Sequence, residues 1–337
     1  MKAFRNYWIL GSLLLTMPLS QRCSSDEGGD RGPVSTEYSN PVIRANVPDP
    51  TLIREDGYFY LYCTEGSPKN IPIYRSANLV DWDLVSTAFS DATRPSFFPG
   101  GTLWAPCINR IGGQYVMYYA LSEWGGYETC GIGCAVSDSP MGPFTDLGAM
   151  LRSNIIGVRN SIDPCYVEDE GRKYMFFGSF FGIYGVELTD DGLKIKEGSQ
   201  PRQIAGTAYE GTYILKRNGY YYLFASIGRC CDGLNSTYTA VVGRAESLWG
   251  PYLNKTGERM MDNCHEIFIA KNDTFFGVGH DSEIVQDKAG NDWILYHGYE
   301  VMQPTGRRLL LDRVEWEDGW PLVRTGTPSI SAERPVF

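Results

Sequence analysis

The sequence predicts an all-β protein built as a five-bladed β-propeller. Three observations carry this. A polar turn followed by an aromatic and aliphatic strand recurs five times, as GYFYLYCTE (57–65), GQYVMYYAL (113–121), RKYMFFGSF (172–180), GYYYLFASI (219–227) and DWILYHGYE (292–300). A second short apolar strand precedes each one, so every unit opens with a hairpin. The chain also carries 22 Tyr and 38 Gly in 337 residues, suiting short pleated strands joined by tight turns. Radial repetition is how such four-stranded sheets hide their edges. A β-sandwich, the other all-β arrangement, would not need one hairpin phrase recurring in register.

The first 22 residues read as an export signal, with Lys2 and Arg5 ahead of an apolar run from Tyr7 to Leu19 that is too short to span a membrane. Cys23 and SSDEGGDRG follow, as at the start of a bacterial lipoprotein, where the cysteine is lipidated and an acidic, glycine-rich tether (23–39) leads to the folded domain. Gln21 and Arg22 stand where such signals carry small residues, so plain secretion with a later cut is the alternative. Both place the mature protein outside the cytoplasm: periplasmic, on the outer surface, or secreted.

The propeller occupies 40–337. Its first strands are expected in PTLIRED, PCINRIG, PCYVEDE, TYILKRN and SEIVQDK. Third and fourth strands are expected in IPIYRSANLVDWDLV, CGIGCAVSDSPMGPFTDL, GIYGVELTDDGLKI and YTAVVGRAESLWGPYLN. RRLLLDRVEWEDGWPLV completes the last blade, with a strand from near the N-terminus available to close the ring. Eight cysteines follow Cys23 without paired C-x-x-C sets, which argues against zinc; Cys63 and Cys165 read as small buried hydrophobes. Adjacent residues rarely bond to each other, so Cys230 and Cys231 are expected to pair elsewhere or to line a pocket. A net charge of -10 lacks the basic footprint of a nucleic-acid binder and suits an uncharged partner.

Aligning the hairpins places Asp49, Ala105, Asp163, Glu210 and His280 at one position, just ahead of the first strand of each blade. Equivalent positions converge on a propeller's axis, so three carboxylates and a histidine are expected in one funnel. Asp-Pro turn chemistry explains Asp49 and Asp163 singly, but Glu210 is a poor turn former.

The set VPDP, SIDP and YEG, with LWAP between, resembles glycoside hydrolase family 43 from about Asn40 to the C-terminus. NSIDPCYVEDEGRKYMFFGSFFGIYGVEL, CCDGLNSTYTAVVGR and GHDSEIVQDKAGNDWILYHGY are most similar to the endo-α-1,5-L-arabinanases and related arabinofuranosidases. The resemblance implies an inverting hydrolase of plant cell-wall arabinan or arabino-oligosaccharide. Its two carboxyl groups would stand roughly 6.5–9.5 Å apart, leaving room for water. Asp49 would be the general base in a partly solvated seat, Glu210 the general acid, and Asp163 the neighbour that raises the acid's pKa. A close retaining pair, Asp163 with Glu210, is the physical alternative. Pro48 stands where many arabinanases carry histidine, as in chain-end trimmers, so an exo-acting arabinofuranosidase or β-xylosidase remains open. A non-catalytic glycan-binding propeller would be expected to have lost an acid. The resemblance further implies that His280 helps hold calcium, or a similar hard cation, on the axis with water filling most positions. Trp104 would stack on a sugar ring and Arg307 would bond sugar hydroxyls; core packing and a solvated strand end are the plainer readings of those two.

Overall fold

The computed structural model describes Thr36–Phe337. The export signal, Cys23 and most of the tether lie outside the described residues. Five sheets follow one another along the chain, each an antiparallel meander. Blade I is Thr51–Glu55, Tyr58–Tyr62, Pro72–Ser76 and Asp83–Thr87; blade II is Thr102–Ile111, Gln114–Ser122, Gly131–Ser137 and Thr145–Arg152. Blade III is Cys165–Asp169, Arg172–Phe177, Ile183–Glu187 and Arg202–Ala205; blade IV is Glu210–Arg217, Tyr220–Ile227, Thr239–Ala245 and Glu266–Ile269. Blade V holds Phe275–Gly279, Val285–Gln286, Asp292–Glu300, Gln303–Glu317 and Trp320–Val323.

The second strands are apolar on both faces because each blade is buried between two others. In blade I, Phe59 and Leu61 pack with Leu295, Leu309 and Leu311 of blade V. Tyr60 and Tyr62, pointing the other way, pack with Leu103, Ile108 and Met117 of blade II. Blades II and III share Tyr118, Ile132, Met175 and Phe177; blades III and IV share Phe176, Ile183, Leu223 and Val241; blades IV and V share Tyr222, Phe224, Ile294 and Tyr296. Five interfaces each carry their own core, and the strand's period of two assigns alternate residues to alternate neighbours.

Three expectations about strands are corrected. The fourth strands of blades III and IV are Arg202–Ala205 and Glu266–Ile269, because the nearer segments fold back through the isolated bridges Leu188↔Ile195 and Arg244↔Leu253. The first strand of blade V is broken: Phe275–Gly279 and Val285–Gln286 both pair with Asp292–Glu300, and His280 lies in the break. Glu37–Ser39, read above as tether, pair with Ser331–Glu333. Beyond them, Val42 N donates to Leu309 O (2.9 Å) and the Asn40 side chain to Leu311 O (2.9 Å). The N-terminal segment thus closes blade V through the Ile43↔Leu309 bridge, the Asn40 and Tyr38 side chains and the Val47 amide.

Candidate active site

One backbone device repeats at the axis. Asp49, Ala105, Asp163, Gly211 and His280 all adopt left-handed φ, of 55, 36, 56, 60 and 53°. In the first four blades this residue stands eight positions ahead of a hairpin glycine, namely Gly57, Gly113, Gly171 and Gly219. Left-handed backbone is costly for residues with a Cβ, and its recurrence marks a position imposed by the fold. The alignment is corrected here for blade IV: Gly211 holds the left-handed position, and Glu210 is the residue before it. A Cβ at Gly211 would lie 3.1 Å from His280 Nδ1, so the imidazole would have to give way, while the Gly211 N–H donates to Asp163 Oδ2 at 3.1 Å.

All six site residues singled out in the sequence meet. Asp49, Asp163, Glu210, Trp104, His280 and Arg307 line one cavity of about 310 Å³, joined by Trp124, Ile162, Cys230 and Cys231 among others. Cys230 and Cys231 bond to each other, which corrects one expectation and meets the other, because the pair also lines the pocket.

Asp49 is buried and ion-paired, where a partly solvated seat was expected. Arg307 Nη1 lies 2.8 Å from its Oδ1, His280 Nδ1 3.3 Å and His297 Nδ1 3.2 Å from the same oxygen, and the Thr64 hydroxyl donates to Oδ2 at 2.6 Å. Burial alone would raise its pKa; the Arg307 charge outweighs it and holds the carboxyl well below the usual carboxylate range, and the two imidazoles add to this only when protonated. Burial keeps both imidazoles neutral at pH 7, lowering the pKa of His280 and bringing that of His297 down to about 4.

Asp163 and Glu210 are driven the other way. Burial first, then the charges of Glu210 and Asp49, push Asp163 well above its ordinary value. Burial pushes Glu210 up to about 7, against the Ser179 and Tyr238 hydroxyls, which favour its anion. The pair therefore retains a proton near neutrality while Asp49 is ionised. Like-charge influence from Asp163 was expected to lift Glu210; burial is the leading cause.

Residues that the alignment passed over hold the seats in register. A hydroxyl at the end of a second strand reaches the seat of the next blade: Thr64 Oγ1 accepts from Ala105 N (2.7 Å), Ser179 Oγ donates to Glu210 Oε2 (2.7 Å), and Ser226 Oγ accepts from His280 N (2.9 Å). In blade V the corresponding strand carries His297, whose Nδ1 accepts from Asp49 N at 3.1 Å. Its ring stacks on Tyr238 with centroids 5.5 Å apart. The available signal was a lone polar residue closing each apolar run, as in YLYCT, FFGS, LFAS and ILYH.

A hard cation would find little protein here. Among the described residues no group of three or more His, Cys, Asp or Glu could hold a metal. His280 offers one neutral imidazole at the cavity wall, so the residues fit only an ion whose remaining positions are filled by water.

A propeller whose axial cavity keeps one carboxylate ionised and another protonated has the equipment of an acid–base hydrolase. The chain belongs to the family Glycosyl hydrolases family 43, whose model matches residues 38–321, and it is a glycoside hydrolase. It is 34% identical to an extracellular exo-α-(1→5)-L-arabinofuranosidase of Cellvibrio japonicus, over 83% of this chain and 87% of the relative. It is 32% identical to extracellular endo-α-(1→5)-L-arabinanase 1 of Bacillus subtilis, over 81% and 86% respectively. Among solved structures, the Cellvibrio cellulosa α-L-arabinanase complexed with arabinohexaose superposes with a TM-score of 0.75 at 33% identity, covering 83% of this chain and 95% of that one.

Proposed function

We propose that this protein hydrolyses α-1,5-linked L-arabinofuranosyl chains with inversion of configuration. The observation that carries the reading is the opposed environment of two carboxyls lining one cavity: Asp49 is held ionised by Arg307, while Glu210 keeps a proton near neutral pH by burial. Asp49 takes a proton from water as that water attacks the anomeric carbon. Glu210 gives its proton to the departing glycosidic oxygen, so the C–O bond breaks without expelling an alkoxide. Asp163 accepts the Gly211 N–H at 3.1 Å and so fixes the backbone beside Glu210. Arg307 acts chiefly on Asp49, with its remaining guanidinium donors available to sugar hydroxyls. Trp104 presents an aromatic wall.

The arabinan-directed relatives support the substrate class, and they include both exo- and endo-acting enzymes. Their description as extracellular supports export, with lipidation at Cys23 as the anchoring form. When bound, a calcium-like ion would supply fixed water and positive charge at the axis, with His280 as its protein ligand. Incubation with linear arabinan, branched arabinan and xylan, with sizing of the products, tests the reading. Release of arabinose or arabino-oligosaccharides from linear arabinan is expected. Activity on xylan alone would replace this substrate by a xylose-based one.

A further inference from the structure

A second cavity of about 290 Å³ adjoins the first. The two share Trp104, Trp124, Ile162, Glu210, Cys230 and Cys231, but Asp49, Asp163, His280 and Arg307 line only the first. Glu210 therefore stands at the junction. A general acid must face the leaving oxygen, and the base must face the opposite side of the sugar. On the proposed mechanism, the unit that departs lies on the Glu210 side, away from Asp49, which is the second cavity.

That cavity combines aromatic rings and the disulfide with polar residues, Glu123, Asn160, Arg229 and Asp232 among them. Trp124 is 79% exposed, an unusual cost for a large ring with nothing of the protein over it. Tyr127 and Phe180 continue the wall. The disulfide lies at the junction, with Cys230 half-buried and Cys231 exposed. Its loop is tied down at the base: Ser236 Oγ donates to Arg229 O at 2.6 Å, Arg229 N donates to Thr237 Oγ1 at 3.1 Å, and Arg229 pairs with Asp232 at 3.0 Å. A disulfide between neighbours presents two polarisable sulfurs with no strong hydrogen-bonding group. Such a surface suits the C–H face of a sugar and penalises a hydroxyl pointed at it.

We infer that the Cys230–Cys231 disulfide is the apolar platform of the leaving-group subsite, binding the C–H face of the arabinofuranose unit next to the scissile bond, with Trp124 as the outer wall of that subsite. The inference rests on the function proposed above. The disulfide gives the enzyme its preference for a sugar leaving group over a small one.

The test compares wild type with the double variant Cys230→Ala/Cys231→Ala, and separately with Trp124→Ala, a change at an exposed ring that leaves the blade cores untouched. Two substrates are used: arabinotetraose, which fills the leaving-group side, and α-L-arabinofuranosyl fluoride, whose fluoride fills none of it. The ratio of kcat/KM for the tetraose to that for the fluoride is expected to fall about tenfold or more in each variant, mainly through KM on the tetraose. An equal loss on both substrates, as a merely structural role would give, overturns the assignment; so does a ratio unchanged within about twofold. Wild type inactive on both substrates would instead sink the arabinofuranosyl reading beneath it, so the two failures are distinct.

Discussion

Arg307 Nη1 lies 2.8 Å from Asp49 Oδ1 inside a buried cavity, and this ion pair sets the ionisation of the proposed base. Removing the guanidinium as Arg307→Gln leaves Asp49 with burial opposing its charge. Its pKa must then rise. The acidic limb of the kcat/KM profile is expected to move to higher pH, with at least a tenfold loss of rate at pH 5. If Arg307 served only to bind sugar, KM would rise and the limb would stay in place.

Asp49→Asn and Glu210→Gln are each expected to lower kcat by roughly 10²–10⁴-fold with the fold intact, the range typical of a lost general base or acid. The two differ in rescue. A substrate with a good leaving group needs little protonation, so it should restore much of the Glu210→Gln loss and none of the Asp49→Asn loss. Equal rescue of both variants would remove the division of roles.

Glu210 and Glu283 each titrate near pH 7 in the folded protein, against an ordinary 4.5, with burial as the leading cause. Between those values the folded chain binds protons that the unfolded chain has lost. Their contribution is therefore present below about pH 4.5 and is lost as pH rises towards about 7, at up to about 1.4 kcal/mol per pH unit per group. Glu283 accepts from Thr51 Oγ1 (2.7 Å) and Leu52 N (2.6 Å), joining blade V to blade I. Glu283→Gln imitates the protonated acid, so the fall in Tm between pH 5 and 8 is expected to be shallower in the variant. An identical slope in thermal melts would show that Glu283 ionises freely. The same protonation of Glu210 predicts an alkaline limb of kcat/KM near pH 7.

Gly211→Ala places a Cβ at φ +60° and 3.1 Å from His280 Nδ1. Left-handed backbone alone costs about 1–2 kcal/mol, and His280 must also give way. A lowered Tm together with a loss of kcat is expected, since Glu210 and the amide serving Asp163 both move. Unchanged kcat with lowered Tm would separate the backbone from the chemistry.

Chelation, with loss of ion confirmed by elemental analysis, and His280→Ala should both reduce the rate strongly while shifting Tm little, because the blades are held by their own cores. Parallel loss of rate and Tm would indicate an ion that stabilises the fold by mass action. An unchanged rate would return His280 to a purely structural role.

The fold was legible because hairpins are local: the turn glycines and the strands beside them lie within a few residues of each other. The fourth strands of blades III and IV were not, since inserted turns at 188–195 and 253–259 displaced them along the chain. The axial residues were found by blade equivalence, and even with Glu210 misplaced by one position the alignment named a carboxylate that lines the axial cavity. What alignment could not provide was electrostatic. Nothing in TGRRLLLD says that Arg307 reaches across from blade V to Asp49, and the sequence of CCDG gives no direction for either thiol. His297 was passed over because, of the three histidines, only His280 stands at the repeated position ahead of a blade's first strand.

The stereochemical outcome tests the central claim most directly. Proton NMR of the first-formed product from an α-linked arabino-oligosaccharide, followed before mutarotation, is expected to show the β-anomer of arabinofuranose at the new reducing end, as attack by one base-activated water requires. Initial appearance of the α-anomer would contradict the account, because it would require a covalent intermediate on a carboxylate in place of water activated by Asp49.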